Sequence, residues 1–70
     1  MGKWIQADST QIKEFAYDED LMELTIHFHS GGFYKYMKVP VKIFRGLQAI
    51  DSKGVYFAYY IKGEFTCQKL

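Results

Sequence analysis

His27 and His29 stand two residues apart, and in an extended chain residues at that spacing share a face. Two imidazoles side by side can begin a zinc site, but a tetrahedral site needs more ligands. The available ones are Glu23, four residues earlier on the same face, and Cys67, the only cysteine in the chain. The histidines therefore read as polar surface, and no metal is expected. Cys67 has no nucleophile motif around it, and a lone cysteine in a terminal strand usually packs as a small apolar side chain. Gly31-Gly32 leads into an aromatic run rather than a helix, so the phosphate cradle of a helix N-terminus does not apply. Asp18-Glu19-Asp20 lacks the further oxygen ligands of a calcium loop. No catalytic residue and no cofactor is assigned, and an enzyme is not expected.

What remains is recognition chemistry. One Trp, six Tyr and six Phe are spread over 70 residues. In so short a chain much of that content must build the core, because only about 60% of the unfolded surface is buried and each ring hides ~150–250 Å². Any cluster left exposed would mark a partner surface. The formal net charge of +1 conceals an asymmetry. Residues 1–34 hold two lysines against six carboxylates, net −4, and residues 35–70 hold seven cations against two carboxylates, net +5. Lys35, Lys38, Lys42, Arg45 and Lys53 belong to the second half. A basic face with rings beside it suits an anionic ligand carrying flat bases, because rings stack on bases and cations meet phosphates. Equally, charges this sparse can simply solvate a surface.

A single domain, residues 1–70, is expected, and one cysteine permits no internal disulfide. That fits a reducing cytoplasm. No apolar run approaches the ~20 residues of a membrane span. Lys3-Trp4-Ile5-Gln6 does not read as a signal peptide, and the Met1-Gly2 start lacks the Ser or Thr at position six that myristoylation favours.

The elements that must position these residues follow from the pattern. Gln11–Tyr17 reads as a strand of weak alternation, and Asp18-Glu19-Asp20 as a solvated turn. In Leu21–His29, Met22, Leu24, Ile26 and Phe28 alternate with Glu23, Thr25, His27 and His29, a strand with one apolar and one polar face. Ser30-Gly31-Gly32 turns the chain into a returning strand, Phe33–Val39. Pro40 suits a helix start, and Ile43, Phe44, Leu47 and Ile50 follow helical spacing. Gly46 in that helix costs ~1 kcal/mol against alanine, which suggests close approach of another element. Ser52 caps a second short helix with Phe57 and Ile61 on one face, Gly63 stops it, and Glu64–Leu70 is a last strand. The expected fold is α+β: a three-stranded antiparallel meander, two short helices packed on one face and a final short strand, β-β-β-α-α-β.

Turn length decides which face the tyrosines take. With Ser30-Gly31-Gly32 as a three-residue loop, His29 opposes Phe33, Phe28 opposes Tyr34 and Ile26 opposes Tyr36. Tyr34 and Tyr36 then point to the apolar face, and Glu23, Thr25, His27, His29, Phe33, Lys35 and Met37 to the open one. A two-residue loop would set Lys35 against the apolar face, so the longer loop is preferred.

The ordered set of motifs resembles the KTSC domain, named from a C-terminal extension of some lysyl-tRNA synthetases and found also in short free-standing proteins of bacteria and their phages. The resemblance runs through Ser9 and Ile12, Tyr17-Asp18, Leu24, Phe28, Gly32, Tyr34-Lys35-Tyr36 and Val39-Pro40. It continues through Phe44, Leu47, Ser52-Lys53-Gly54, Tyr56-Phe57, Ile61 and Phe65. Ala58 departs from it, since a polar residue is expected after the aromatic pair. The resemblance implies a structural role for Tyr17, Phe28, Tyr34, Tyr36, Pro40, Gly54, Phe57 and Ile61. It implies no catalytic residue, and the synthetase context suggests RNA.

The functional expectation is a non-catalytic module that binds RNA or another nucleotide-containing anion. The candidate ligand residues are His27, His29, Phe33, Lys35, Lys38, Lys42, Arg45 and Lys53. The alternative is a protein-interaction or self-associating module, for example a phage-encoded inhibitor of a host protein or an oligomeric sponge for a nucleotide signal.

Overall fold

Asp18 starts the main hairpin: its Oδ1 accepts the backbone N–H groups of Asp20 and Leu21 at 3.0 and 3.2 Å, and Met22 then takes a left-handed φ of 56°. This closes a hairpin between β2 (Ile12–Asp18) and β3 (Glu23–Phe28). The structure, a computed structural model, describes residues 3–70; Met1-Gly2, on which the reading against myristoylation partly rests, lie outside them. Among the described residues, five antiparallel strands form one sheet in chain order: β1 (Ile5–Gln6), β2, β3, β4 (Phe33–Tyr36) and β5 (Cys67–Lys69). Between β4 and β5 come helices α1 (Val41–Ala49) and α2 (Lys53–Tyr60).

The α+β class and the two helices match expectation. The strand count does not: the order is β-β-β-β-α-α-β, because β1 adds a fifth strand at the edge. Two residues are too short for alternation to reveal. The final strand is likewise shorter than expected and joins β4.

The weak alternation of the first long strand has a physical cause. Ile12 pairs with Phe28 and Glu14 with His27, so Lys13 is an extra residue in a bulge. The bulge resets the pleat, so that Ile12 and Phe15, three apart, both point inward and are fully buried.

The β3–β4 hairpin has the expected parity but a different register. Ile26 opposes Tyr34, Leu24 opposes Tyr36, and His27 opposes Phe33, two residues away from the expected pairing. The loop is His29-Ser30-Gly31: Phe28 N–H bonds the Gly32 carbonyl at 3.0 Å, Gly31 N–H bonds the Phe28 carbonyl at 2.9 Å, and Gly31 takes φ 107°. A two-residue shift conserves faces, so both tyrosines still lie on the helix side. Tyr36 is buried there and Tyr34 half-buried; Met22, expected inside, lies before β3 and is exposed.

Inward residues of β2–β4 meet the helices over a core of Ile12, Phe15, Tyr17, Leu24, Ile26, Tyr36, Val39, Leu47, Phe57 and Ile61. Phe44 of α1 stacks on Tyr17, with centroids 4.6 Å apart, and Phe57 of α2 meets Phe28 and Tyr36 edge-on. The Tyr17 hydroxyl donates to the Val39 carbonyl. Gly46 does permit a close approach: a Cβ there would collide with the Tyr56 hydroxyl, which donates to the Ile43 carbonyl at 3.1 Å. Pro40 sits one place before α1 as its N-cap, and Ser52 holds the same position on α2 without a side-chain capping bond. Ile50 follows α1 and is exposed rather than core.

Candidate binding surfaces

The two sides of the sheet end in different chemistry. On the open side, strand register gathers Glu14, Asp18, Glu23, Thr25, His27, Phe33 and Lys35. The His27 ring stacks on Phe33 with centroids 3.8 Å apart, and Trp4 meets Phe33 edge-on at 5.8 Å. His27 Nδ1 lies 2.9 Å from Glu14 Oε2, and Gln6 Nε2 donates to Glu14 Oε1 at 3.0 Å. Lys35 faces Glu23 at 3.4 Å. The two groups expected to attract an anion thus each have a carboxylate partner, and Asp18 adds a third acid to the face. A polyanion would have to break these pairs and meet their carboxylates.

The bonds from His27 and Gln6 hold the Glu14 carboxyl below its ordinary value of 4.5. A carboxyl depressed in the folded state stabilises the fold above its unfolded value and loses that contribution as pH falls through the folded one. Glu14→Gln is therefore expected to melt below wild type at neutral pH. Thermal scans from pH 7 downward should show that gap closing once pH passes below the ordinary carboxylate value.

On the helix side, the β3–β4 hairpin, the loop ahead of β2 and α2 with the residues after it leave a groove of about 570 Å³. Phe28, Tyr34, Tyr36 and Phe57 form its aromatic wall. They contact one another edge to face, with Phe28 5.6 Å from Tyr34 and 5.3 Å from Phe57. Thr10, Gln11 and Ser30 supply polar atoms, and His29 and Lys62 supply ionisable nitrogens. Among the described residues no carboxylate lines it. His29 Nε2 donates to the Ser9 carbonyl at 2.9 Å, which ties the loop before β2 to the groove. Among the described residues, the side chains of Thr10, Gln11, Ser30, Tyr34 and Lys62 make no hydrogen bond within the protein. This is the reverse of the open face.

The model of the KTSC domain matches residues 8–65, from the loop ahead of β2 to the turn before β5. The chain belongs to the KTSC domain family. A KTSC domain protein from Yersinia pestis, solved by crystallography, superposes with a TM-score of 0.96 at 33% identity, covering 100% of this chain and 99% of that one. Lysine–tRNA ligases of Nostoc punctiforme and Trichormus variabilis are each 38% identical over 66 residues, 94% of this chain. The chain spans 12% of the length of those ligases. An uncharacterised protein of Stutzerimonas stutzeri is 30% identical over 60 residues and is covered to 84%.

Within this KTSC domain the motif residues divide between core and groove. Tyr17 and Ile61 are buried in the core, Tyr36 and Phe57 are buried and reach the groove wall, and Phe28 and Tyr34 are half-buried at the groove. Gly54 leaves room for the Gln11 side chain, whose Oε1 would lie 2.8 Å from an added Cβ.

The residues expected to bind ligand do not form one surface. His27, Phe33 and Lys35 share the open face, while His29 lies in the β3–β4 loop and lines the groove. Lys38 stands in the β4–α1 connection at φ 58°; Lys42 and Arg45, three apart, share an exposed face of α1. Lys53 is engaged elsewhere: its Nζ donates to the carbonyls of Leu47, Gln48 and Ile50 at 3.0, 3.1 and 2.7 Å, closing the C-terminus of α1. Lys53→Met is expected to cost ~1–2 kcal/mol, at the low end for charge-assisted bonds because the site is partly exposed, as urea unfolding would report.

Sequence reasoning misses Lys62, Gln11 and Thr10. Nothing in their local pattern marks them, since they become neighbours only when α2 packs against the β3–β4 end of the sheet. Among the described residues no three His, Cys, Asp or Glu side chains come together as a metal site, and no helix is long and apolar enough to cross a membrane.

Proposed function

We propose that this KTSC domain is a non-catalytic binding module for RNA or another nucleotide-containing anion, and that the helix-side groove is its binding site. The observation that carries this is the pairing of an aromatic wall with Lys62, His29 and unengaged amide and hydroxyl groups, in a groove that no carboxylate lines among the described residues. Rings provide faces for bases, worth ~1–3 kcal/mol per base when well placed, and the cation meets phosphate. The matched ligases are named for joining lysine to a tRNA, which is consistent with an RNA ligand. This reading puts the site on the side of the sheet opposite the open face expected from sequence, and it is supported by the carboxylate partners that His27 and Lys35 already have there.

Fluorescence anisotropy of a short labelled single-stranded RNA tests the reading. Affinity is expected to fall with salt, with a logarithmic slope of about −0.7 per phosphate neutralised. A salt-independent signal, or none at low ionic strength, would reject RNA binding. A protein partner is the second reading, favoured by the exposed Val55, Tyr59 and Tyr60 of α2. Native mass spectrometry separates the two by reporting retained nucleic acid, a co-purifying protein or a discrete homo-oligomer.

A further inference from the structure

We propose that the groove holds one unstacked nucleotide, its base against the Phe28–Tyr34 wall and its phosphate at Lys62, rather than a run of stacked strand. This rests on the reading of the groove as the binding site and goes further, to the unit it recognises. Size comes first. About 570 Å³ falls within the ~300–1,000 Å³ range of small-molecule pockets, so the groove suits a compact ligand rather than an extended one.

Ring arrangement is the second ground. The wall rings meet edge to face, at interplanar angles of 76° for Phe28–Tyr34, 70° for Phe28–Phe57 and 78° for Tyr36–Phe57. Successive bases of a stacked strand need parallel platforms in series. Rings set perpendicular to one another instead give one flat guest a face on one ring and edges on the next.

Third, the unengaged groups match the edge of a base. Gln11, which lines the groove with its amide lying over Gly54, offers a donor and acceptor together, the pair that reads a base edge in two bonds. The hydroxyls of Thr10, Ser30 and Tyr34 can each donate or accept. An inorganic anion or a simple carboxylate would use Lys62 but leave the amide and the ring wall without purpose. A purely apolar guest would bury Gln11 and Lys62 unpaired. A base joined to a phosphate uses both.

The test is an NMR titration of the isotope-labelled protein with each of the four ribonucleoside 5′-monophosphates, their nucleosides and inorganic phosphate. At least one monophosphate is expected to shift the amides of Gln11, Phe28, Tyr34 and Lys62 with a saturating isotherm. Its nucleoside should shift the same amides about tenfold more weakly, and Lys62→Ala should remove that tenfold advantage. Gln11→Ala, a change at an exposed position, should weaken the nucleoside as much as the monophosphate. Inorganic phosphate shifting these amides as strongly as the monophosphates would overturn the base assignment. So would RNA oligomers that bind while no monophosphate reaches the groove, a result that leaves the RNA reading standing. If neither oligomers nor monophosphates bind, both proposals fall.

Discussion

Tyr36→Ala is expected to cost ~3–5 kcal/mol, the scale of large-to-small aromatic changes in a core. Tyr36 is 6% exposed, opposes Leu24, packs edge-on to Phe57 and joins β4 to the edge strand through Cys67. Burial, and then the Cys67 thiol beside it, push its phenol well above the ordinary value of 10.0. A 70-residue domain has in total only ~3.5–10 kcal/mol of stability, at ~0.05–0.15 kcal/mol per residue. The variant should therefore melt ~12–40 °C lower or fail to fold, since each kcal/mol moves the midpoint by ~4–8 °C. Tyr36→Phe retains the ring and its packing against Phe57, so it should melt far closer to wild type than Tyr36→Ala. Tyr34→Ala, at the half-buried position beside it, should cost only ~1–2 kcal/mol. A calorimetric scan in which Tyr36→Ala melts with wild type, or in which Tyr34→Ala is the more damaging of the two, would contradict this packing.

That contrast between neighbouring tyrosines shows what sequence alone can and cannot resolve. Period-2 alternation in β3 assigns Tyr34 and Tyr36 to the helix side, and this survives a two-residue error in register, because faces depend on parity alone. The bulge at Lys13 blurs β2, since one extra residue turns a clean alternation into a three-residue spacing between Ile12 and Phe15. β1 is invisible for want of length. The candidate site is less legible. Glu23, His27, Phe33 and Lys35 share a face as expected, but Glu14, the partner of His27, arrives through the β2–β3 pairing, which composition does not reveal. Lys53, one more cation in the chain, turns out to close α1. The groove needs three separated segments, the loop ahead of β2, the β3–β4 hairpin and the end of α2, and their meeting is a tertiary event with no local signal.

Lys62→Glu should weaken binding of single-stranded RNA at least tenfold while leaving the melting temperature within a few degrees. Lys62 is exposed and makes no hydrogen bond or ion pair through its side chain among the described residues, so its reversal removes nothing the fold uses. At the groove the same change deletes the lysine that lines it and puts a carboxylate where phosphate is expected. The loss of one phosphate contact should also reduce the salt slope by ~0.7. Lys35→Glu is the matched control: the same charge change, on the opposite side of the sheet, at a lysine already paired with Glu23.

The decisive measurement is a parallel RNA titration of wild type, Lys62→Glu and Lys35→Glu at one low ionic strength, with melting curves on the same samples. Binding through the groove predicts at least a tenfold loss for Lys62→Glu and a change within about twofold for Lys35→Glu. Loss in Lys35→Glu with Lys62→Glu unaffected would return the site to the open face and contradict the assignment of the groove as the binding site.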